Sequence, residues 1–230
     1  MGAAEPSLGQ SVTTNLVPDP HRLAEPLPAT STSLYRRILG DAWGDVADEV
    51  RAAHFDGRTI ERRGLFRVRR GTGLLARIGA AILRLPAAGD AVPIQLRIEG
   101  DGERERWIRH FGRRRLSTLQ RPLPDHRLGE RFGPLEIVFR LEAVDGGLTY
   151  HTVGARLCIG PLGIPLPRGL RPVVEARESA EASGATHVVV DVALPWAGPL
   201  IRYEGLLYAD ARTDERARPG ENGRRGEESP

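Results

Sequence analysis

Val92-Pro93-Ile94-Gln95-Leu96-Arg97-Ile98 places apolar residues at every second position, and the fold class follows from that pattern. The alternation returns at Leu135-Ile137-Phe139-Leu141 and at Val188-Val190-Val192-Leu194. Successive side chains of a strand point to opposite faces, so a period of two marks a half-buried antiparallel strand. Gly-containing links of hairpin size lie between extended runs, at Gly100-Asp101-Gly102, at Asp145-Gly146-Gly147 and around Ser183-Gly184. Nine strands are expected in this part of the chain: 92–98, 103–111, 114–120, 127–132, 135–143, 148–153, 173–182, 186–194 and 200–208. Sequential hairpins form a meander, which curls into a barrel or a strongly bent sheet. Upstream, 33–54 reads as helix, with Ser33 as cap, breaks at Gly40 and Gly44, and Asp45 capping the second piece. A first strand is expected over 59–70 and a second helix over 74–85, ended by Pro86. The expected fold class is α+β, mostly antiparallel β: a strongly curved meander sheet or β-barrel with two N-terminal helical segments.

The chain has 230 residues, which suits one domain. Residues 1–32 hold five prolines and no aromatic, and 211–230 mix five arginines with five acids. Neither stretch can bury enough apolar surface to offset its ordering entropy, so both are expected to be disordered tails around a single domain at 33–210. Every one of the 33 basic residues is arginine, and 30 acids nearly cancel them, leaving a net charge of +3. That composition matches a GC-rich coding sequence and predicts no strong overall field. One cysteine, Cys158, excludes an intramolecular disulfide. No basic region followed by an apolar run opens the chain, Pro6 occupies the place a myristoylation motif gives to Ser or Thr, and no apolar run is long enough to span a bilayer. A soluble cytoplasmic protein is expected.

Several stretches invite chemistry. Gly71-Thr72-Gly73-Leu74-Leu75-Ala76 fits a dinucleotide fingerprint between strand and helix, but the strand before it carries charge on one face, and a tight turn explains the glycines equally. Glu103 to Arg115 packs six arginines around Trp107 and Phe111. Those aromatics share a strand face with Arg109, as core residues would, and no nucleic-acid partner is expected. Glu175 and Arg177 share a face, with Glu178 opposite; they read either as an acid–base or anion-holding group or as surface ion pairs. The six histidines lack ligand spacing, Cys158 lies in no motif, and no G-x-S-x-G elbow occurs, so no metal, cofactor or catalytic residue is assigned. Residues 74–85 carry Leu74, Ile78, Ile82 and Leu85 on one face, suited to plugging a sheet or lying on a membrane surface. Residues 154–172, GARLCIGPLGIPLPRGLRP, are too apolar for an ordinary solvated link; they read as a lid, a docking surface or buried core.

Leu34-Tyr35-Arg36-Arg37 with Leu39-Gly40 and Trp43, Arg70-Gly71-Thr72-Gly73-Leu74-Leu75-Ala76-Arg77 with Leu85-Pro86, Arg106-Trp107-Ile108-Arg109-His110-Phe111-Gly112, Glu130-Arg131-Phe132-Gly133-Pro134-Leu135, Pro165-Leu166-Pro167, Glu175-Ala176-Arg177-Glu178 and Arg202-Tyr203-Glu204-Gly205 together resemble the domain of unknown function 4166 family (DUF4166). The resemblance covers about residues 34 to 208. Domains of this family stand behind Rossmann domains in some saccharopine-dehydrogenase-like and short-chain oxidoreductase-like proteins. The resemblance therefore implies an accessory or ligand-binding module whose shared site would draw on Trp107, Arg109, Phe111, Arg131, Glu175, Arg177, Arg202 and Tyr203. The expectation is non-enzymatic binding of a small apolar or amphiphilic molecule, with Arg109, Arg177 or Arg202 meeting its polar head. The alternatives are docking onto a separately encoded NAD(P)-dependent oxidoreductase, or an enzyme with a Glu/Arg/His site. Peripheral membrane contact is a further expectation.

Overall fold

The computed structural model describes residues 33–209, apart from 55, 84 and 102. The expected tails, and Gly102 of the first expected turn, lie outside the described residues. Eleven strands run in chain order: β1 (Ile60–Arg70), β2 (Gly89–Gly100), β3 (Glu105–Phe111), β4 (Arg114–Leu123), β5 (Arg127–Phe132), β6 (Leu135–Val144), β7 (Gly147–Ile159), β8 (Leu162–Pro165), β9 (Val173–Ala180), β10 (Thr186–Leu194) and β11 (Gly198–Ala209). Ten of them close a barrel in the order β1-β2-β3-β4-β5-β6-β7-β9-β10-β11, with β11 returning to β1. Every pairing is antiparallel, and β8 adds only to the far half of β7. The apolar positions of the alternating segments face inward: Ile94, Leu96 and Ile98 of β2 are buried, as are Ile137, Phe139 and Leu141 of β6.

The alternation is reversed relative to a membrane-spanning barrel, because charge faces outward. Arg97, Arg106, Arg140, Arg177 and Arg202 are all exposed on the outer wall. No described helix is long and apolar enough to cross a membrane.

An antiparallel meander collects its links at two ends. One end is closed by α1 (Leu34–Leu39), a 3-10 helix (Gly40–Asp45) and α2 (Asp48–Arg51). Leu34, Tyr35, Ile38, Val46 and Val50 are buried there against Ile98, Trp107 and Leu148. Burying side chains of this size stabilises by roughly 1.5–3 kcal/mol each. The Ala47 amide donates to the Gly146 carbonyl at 2.8 Å, and the Thr186 hydroxyl donates to that of Glu49 at 3.1 Å, which ties the plug to two barrel links. Gly146 sits in a hairpin turn with Asp145, both at positive φ (74° and 51°), as a type I′ turn requires. The expected caps differ: the Ser33 side chain makes no capping bond, and Ala47, not Asp45, precedes α2.

At the opposite end, the mouth, lies α3 (Leu74–Ile82). Its orientation corrects the expected stripe. Ala76 and Ala80 are buried while Leu74 and Ile78 face solvent, at 72% and 48% exposure. The cause is a close backbone approach. The Gly71 amide donates to the Leu200 carbonyl at 3.0 Å, and a Cβ on Gly71 would stand 1.9 Å from the Pro199 carbonyl oxygen. Only small residues fit between helix and β11, so the larger ones point out. The Arg70 guanidinium donates to the Ala80 and Leu85 carbonyls (3.4 and 3.1 Å), holding the end of α3 and the following segment over the mouth. β1 is antiparallel to both neighbours, so the glycines serve this packing and no βαβ unit forms.

Residues 154–172 also differ from expectation. They are not one loop: β7 continues to Ile159, turns at Gly160-Pro161 and returns as β8. A bulge hides the continuation. Val138 pairs with Gly154 while Phe139 pairs with Thr152, leaving Val153 as the extra residue. Parity flips there, from Leu148 and Tyr150 inward to Ala155 inward, and the period-two reading stops. The hairpin that follows is exposed at Ile159, Leu162 and Ile164.

Gly71→Ala is expected to destabilise the fold by about 2 kcal/mol or more, because backbone must move to admit the methyl. A thermal melt identical to that of the parent would refute the close-approach account.

Candidate functional site in the barrel interior

The inward faces do not fill the barrel. A cavity of about 200 Å³ runs from the plug to the mouth. Leu96, Ile137, Phe139, Val188 and Val190 line its wall, and Leu83, Leu85, Pro86 and Pro172 lie at the mouth. Arg109, Thr118, Gln120, Glu130, Tyr150, Glu178 and Tyr203 are polar residues in the same lining.

Arg109 and Glu130 form the central ion pair. Both terminal nitrogens of Arg109 donate to Glu130 Oε1 at 3.3 Å, and Nη1 also donates to the Thr118 hydroxyl at 3.0 Å. The guanidinium lies 4.8 Å from the centre of the Trp107 ring, within cation–π range. Burial pulls the Arg109 pKa down, but Glu130, Tyr203 and Tyr35 outweigh it, and the net shift is upward. The cation is therefore permanent. Tyr203 packs edge-on to Phe111, with ring centres 5.2 Å apart, and burial raises its phenol pKa.

A second polar network seals the closed end. His54 Nε2 and Glu178 Oε2 are 2.8 Å apart, and the Tyr150 hydroxyl donates to Glu178 Oε1 at 2.9 Å and lies 3.3 Å from that of Tyr35. Tyr35 in turn donates to Gln120 Oε1 at 2.8 Å. The His54 ring is 3.9 Å from the Tyr35 ring and 5.6 Å from that of Trp107. Burial raises the pKa of both Tyr35 and Tyr150 well above the ordinary phenol value, so both stay protonated donors.

Two buried glutamates here are driven in opposite directions. For Glu178, burial pushes the pKa up, but His54, Tyr150 and Arg109 together outweigh it and hold the carboxyl below its ordinary value. For Glu105, burial dominates His54 and the Trp107 hydrogen bond (3.0 Å), and the pKa rises to about 7. Glu105 Oε1 has no hydrogen-bond partner. Glu178 lines the cavity and Glu105 does not.

The structure divides the eight residues singled out from sequence. Trp107, Arg109, Phe111 and Tyr203 face inward; Phe111 is packed in the core and the other three line the cavity. Arg131, Glu175, Arg177 and Arg202 lie on the outer wall, which corrects the expectation that Arg177 or Arg202 meets a ligand head inside the sheet. Arg202 pairs with Asp191 at 2.5 Å and with Glu204 at 3.0 Å, and Arg131 donates to the Gly133 carbonyl. Glu175 stands opposite His151 in the ladder, outside the cavity, where His151 lies 3.4 Å from Glu142. The Glu175/Arg177/His grouping an enzyme would need is therefore not assembled in the interior. Trp107 and Phe111, at 5% and 3% exposure, offer no stacking surface to nucleic acid.

Sequence reading did not single out Glu130, and it weighed Glu178 beside Glu175 and Arg177 without assigning it to the site. The signal was present: each carboxylate falls on the inward parity of its strand, Glu130 between Leu128 and Phe132, and Glu178 two residues after Ala176. His54 and Tyr35 carried no such signal, because their inward position depends on how the plug docks.

The family model described as a domain of unknown function (DUF4166) matches residues 47–207. The chain belongs to the DUF4166 family. The match spans α2 and the barrel as far as Leu207 of β11, while α1 with its buried Tyr35 lies ahead of it. No curated protein and no solved structure matches the chain. Among the described residues, no cluster of three or more His, Cys, Asp or Glu side chains could hold a metal ion.

The Glu105 shift has a testable sign. Its folded pKa of about 7 exceeds the ordinary 4.5, so its contribution is full below 4.5 and is lost as the pH rises through 7. The loss at the top of that window is about 3 kcal/mol. Glu178 behaves oppositely, with stability present above its ordinary value and lost as the pH falls through its lowered one. Glu105→Gln keeps the acceptor for Trp107 and removes the charge. It should raise the melting temperature at about pH 8 and flatten the decline above about pH 5. An unchanged melting profile across that range would contradict the assignment.

Proposed function

We propose that this DUF4166 domain holds a small apolar or amphiphilic molecule inside the barrel, its polar group near Arg109, Glu130 and Tyr203. The observation that carries the reading is the cavity itself, about 200 Å³, walled by aliphatic and aromatic side chains with one ion pair part-way along. Ligand sites elsewhere share this plan of apolar lining and few placed polar groups. An apolar cavity of roughly 150 Å³ in another protein admits benzene, so this interior suits a single ring or a short chain. The Arg109–Glu130 pair supplies both a donor and an acceptor, which favours a head group carrying a hydroxyl, carbonyl or carboxyl function. Leu83, Leu85, Pro86 and Pro172 at the mouth would cover the ligand from solvent. The plug blocks the other end, so exchange would take place at the mouth.

Ala176 offers a clean test, being a small residue in the cavity lining. Native mass spectrometry of gently purified protein should show an adduct of small-molecule mass. Ala176→Phe should fill the cavity, abolish the adduct and leave the melting temperature equal or higher. A clean unliganded mass, with no gain on adding short aromatic or aliphatic alcohols and acids, would overturn the proposal.

A further inference from the structure

The two ends of the barrel differ sharply in chemistry. The links and helices at the closed end, 33–59, 100–105, 123–127, 144–147 and 180–186, contain eleven acids and six arginines. Those at the mouth, 70–89, 111–114, 132–135, 159–173 and 194–198, contain no Asp or Glu at all. They carry instead Arg77, Arg113, Arg114 and Arg168, all exposed, together with Arg70 and the half-buried Arg171. A net charge of +3 conceals this separation.

The mouth also gathers the exposed apolar surface. Of thirteen large apolar residues that face solvent among the described residues, nine lie in those mouth segments. Seven of them stand on three separate projections: Leu74, Leu75 and Ile78 on α3, Ile159, Leu162 and Ile164 on the β7–β8 hairpin, and Trp196 in the link between β10 and β11. Their exposures run from 47% to 72%. A protein partner is ordinarily met by one packed apolar centre with a polar rim. Apolar tips on separate projections, interspersed with arginines and with Asp90 at the start of β2 as an exposed acid beside them, paired to Arg67, match instead the boundary of an anionic bilayer. Tryptophan, apolar in body and polar at one edge, suits that depth.

We propose that the mouth of the barrel docks onto an anionic lipid surface, with the β7–β8 hairpin, α3 and Trp196 entering the headgroup boundary and the arginines meeting lipid phosphates. The charged outer wall stays in water, so the barrel stands on the membrane without spanning it. The cavity then opens toward the lipid. Docking is independent of whether the cavity holds a ligand.

The test is sedimentation of the full chain with vesicles of phosphatidylcholine, with and without phosphatidylserine. Binding is expected only with phosphatidylserine and should weaken as salt rises. Trp196 is the exposed one of three tryptophans, since Trp107 is buried and Trp43 packs against the core. Its emission should shift to the blue on binding, and Trp196→Phe should remove that shift. Leu162→Ser with Ile164→Ser, and separately Arg113→Glu with Arg168→Glu, should each weaken partitioning about tenfold with unchanged melting. Three outcomes would overturn the proposal: no partitioning onto phosphatidylserine vesicles, partitioning of both variants equal to that of the parent, or loss in these variants of binding to an NAD(P)-dependent oxidoreductase while vesicles are ignored throughout.

Discussion

Closure of the barrel depends on β7, which pairs with β6 along one edge and with two strands in succession along the other. Leu148 to His151 pair with β9 and complete the ring, and Arg156 to Ile159 pair with β8 instead. The bulge at Val153 makes the transfer possible by turning the strand and reversing which face looks inward. Thr152 fastens the departure point: its hydroxyl donates to the Val174 carbonyl and accepts from the Val174 amide, at 2.7 and 2.9 Å. Outside the ring, the buried Glu136 receives Arg121 at 2.7 Å and pairs with Arg156, joining β4, β6 and β7. From this one departure follow a closed interior, an exposed hairpin beside the mouth, and the position of Val174 and Pro172 over the cavity.

The interior charge is affordable because none of it stands alone. Arg109 is balanced by Glu130, and Glu178 is held by His54 and Tyr150. Removing one partner of such a pair is far more costly than the pair itself is stabilising. Glu105 is the exception. It has the Trp107 indole but no full countercharge at hydrogen-bond distance, and its raised pKa records that deficit. The polar groups thus divide by depth. Those at the plug bond mainly to one another, apart from Glu105 Oε1 and His54 Nδ1, and those near Arg109 face open volume.

The barrel was legible in the sequence because its walls obey one rule, apolar inward at every second residue. That rule placed the strand sequence from β2 to β6 and the inward parity of Trp107, Arg109 and Phe111. It failed where parity breaks. Val153 concealed the second half of β7, and the outward Glu175 and Arg177 were weighed ahead of Glu178, although Val174 and Ala176 mark the inward parity. α3 misled for a different reason, since its amphipathic stripe is real but backbone proximity at Gly71 selects the small face for burial. The segregation of charge between the ends was invisible to composition, because only the topology tells which links share an end.

The central claim is that a cavity with a mainly apolar lining lies behind the mouth of a plugged barrel. Methyl-resolved NMR with indole as a small aromatic probe examines it directly. The account predicts saturable shifts concentrated in Leu96, Ile137, Val188 and Val190 of the cavity wall, with none at the plug residues Leu34 and Val50. Shifts confined to the exposed Leu162, Ile164 and Leu74, or no saturable shift at all, would contradict it.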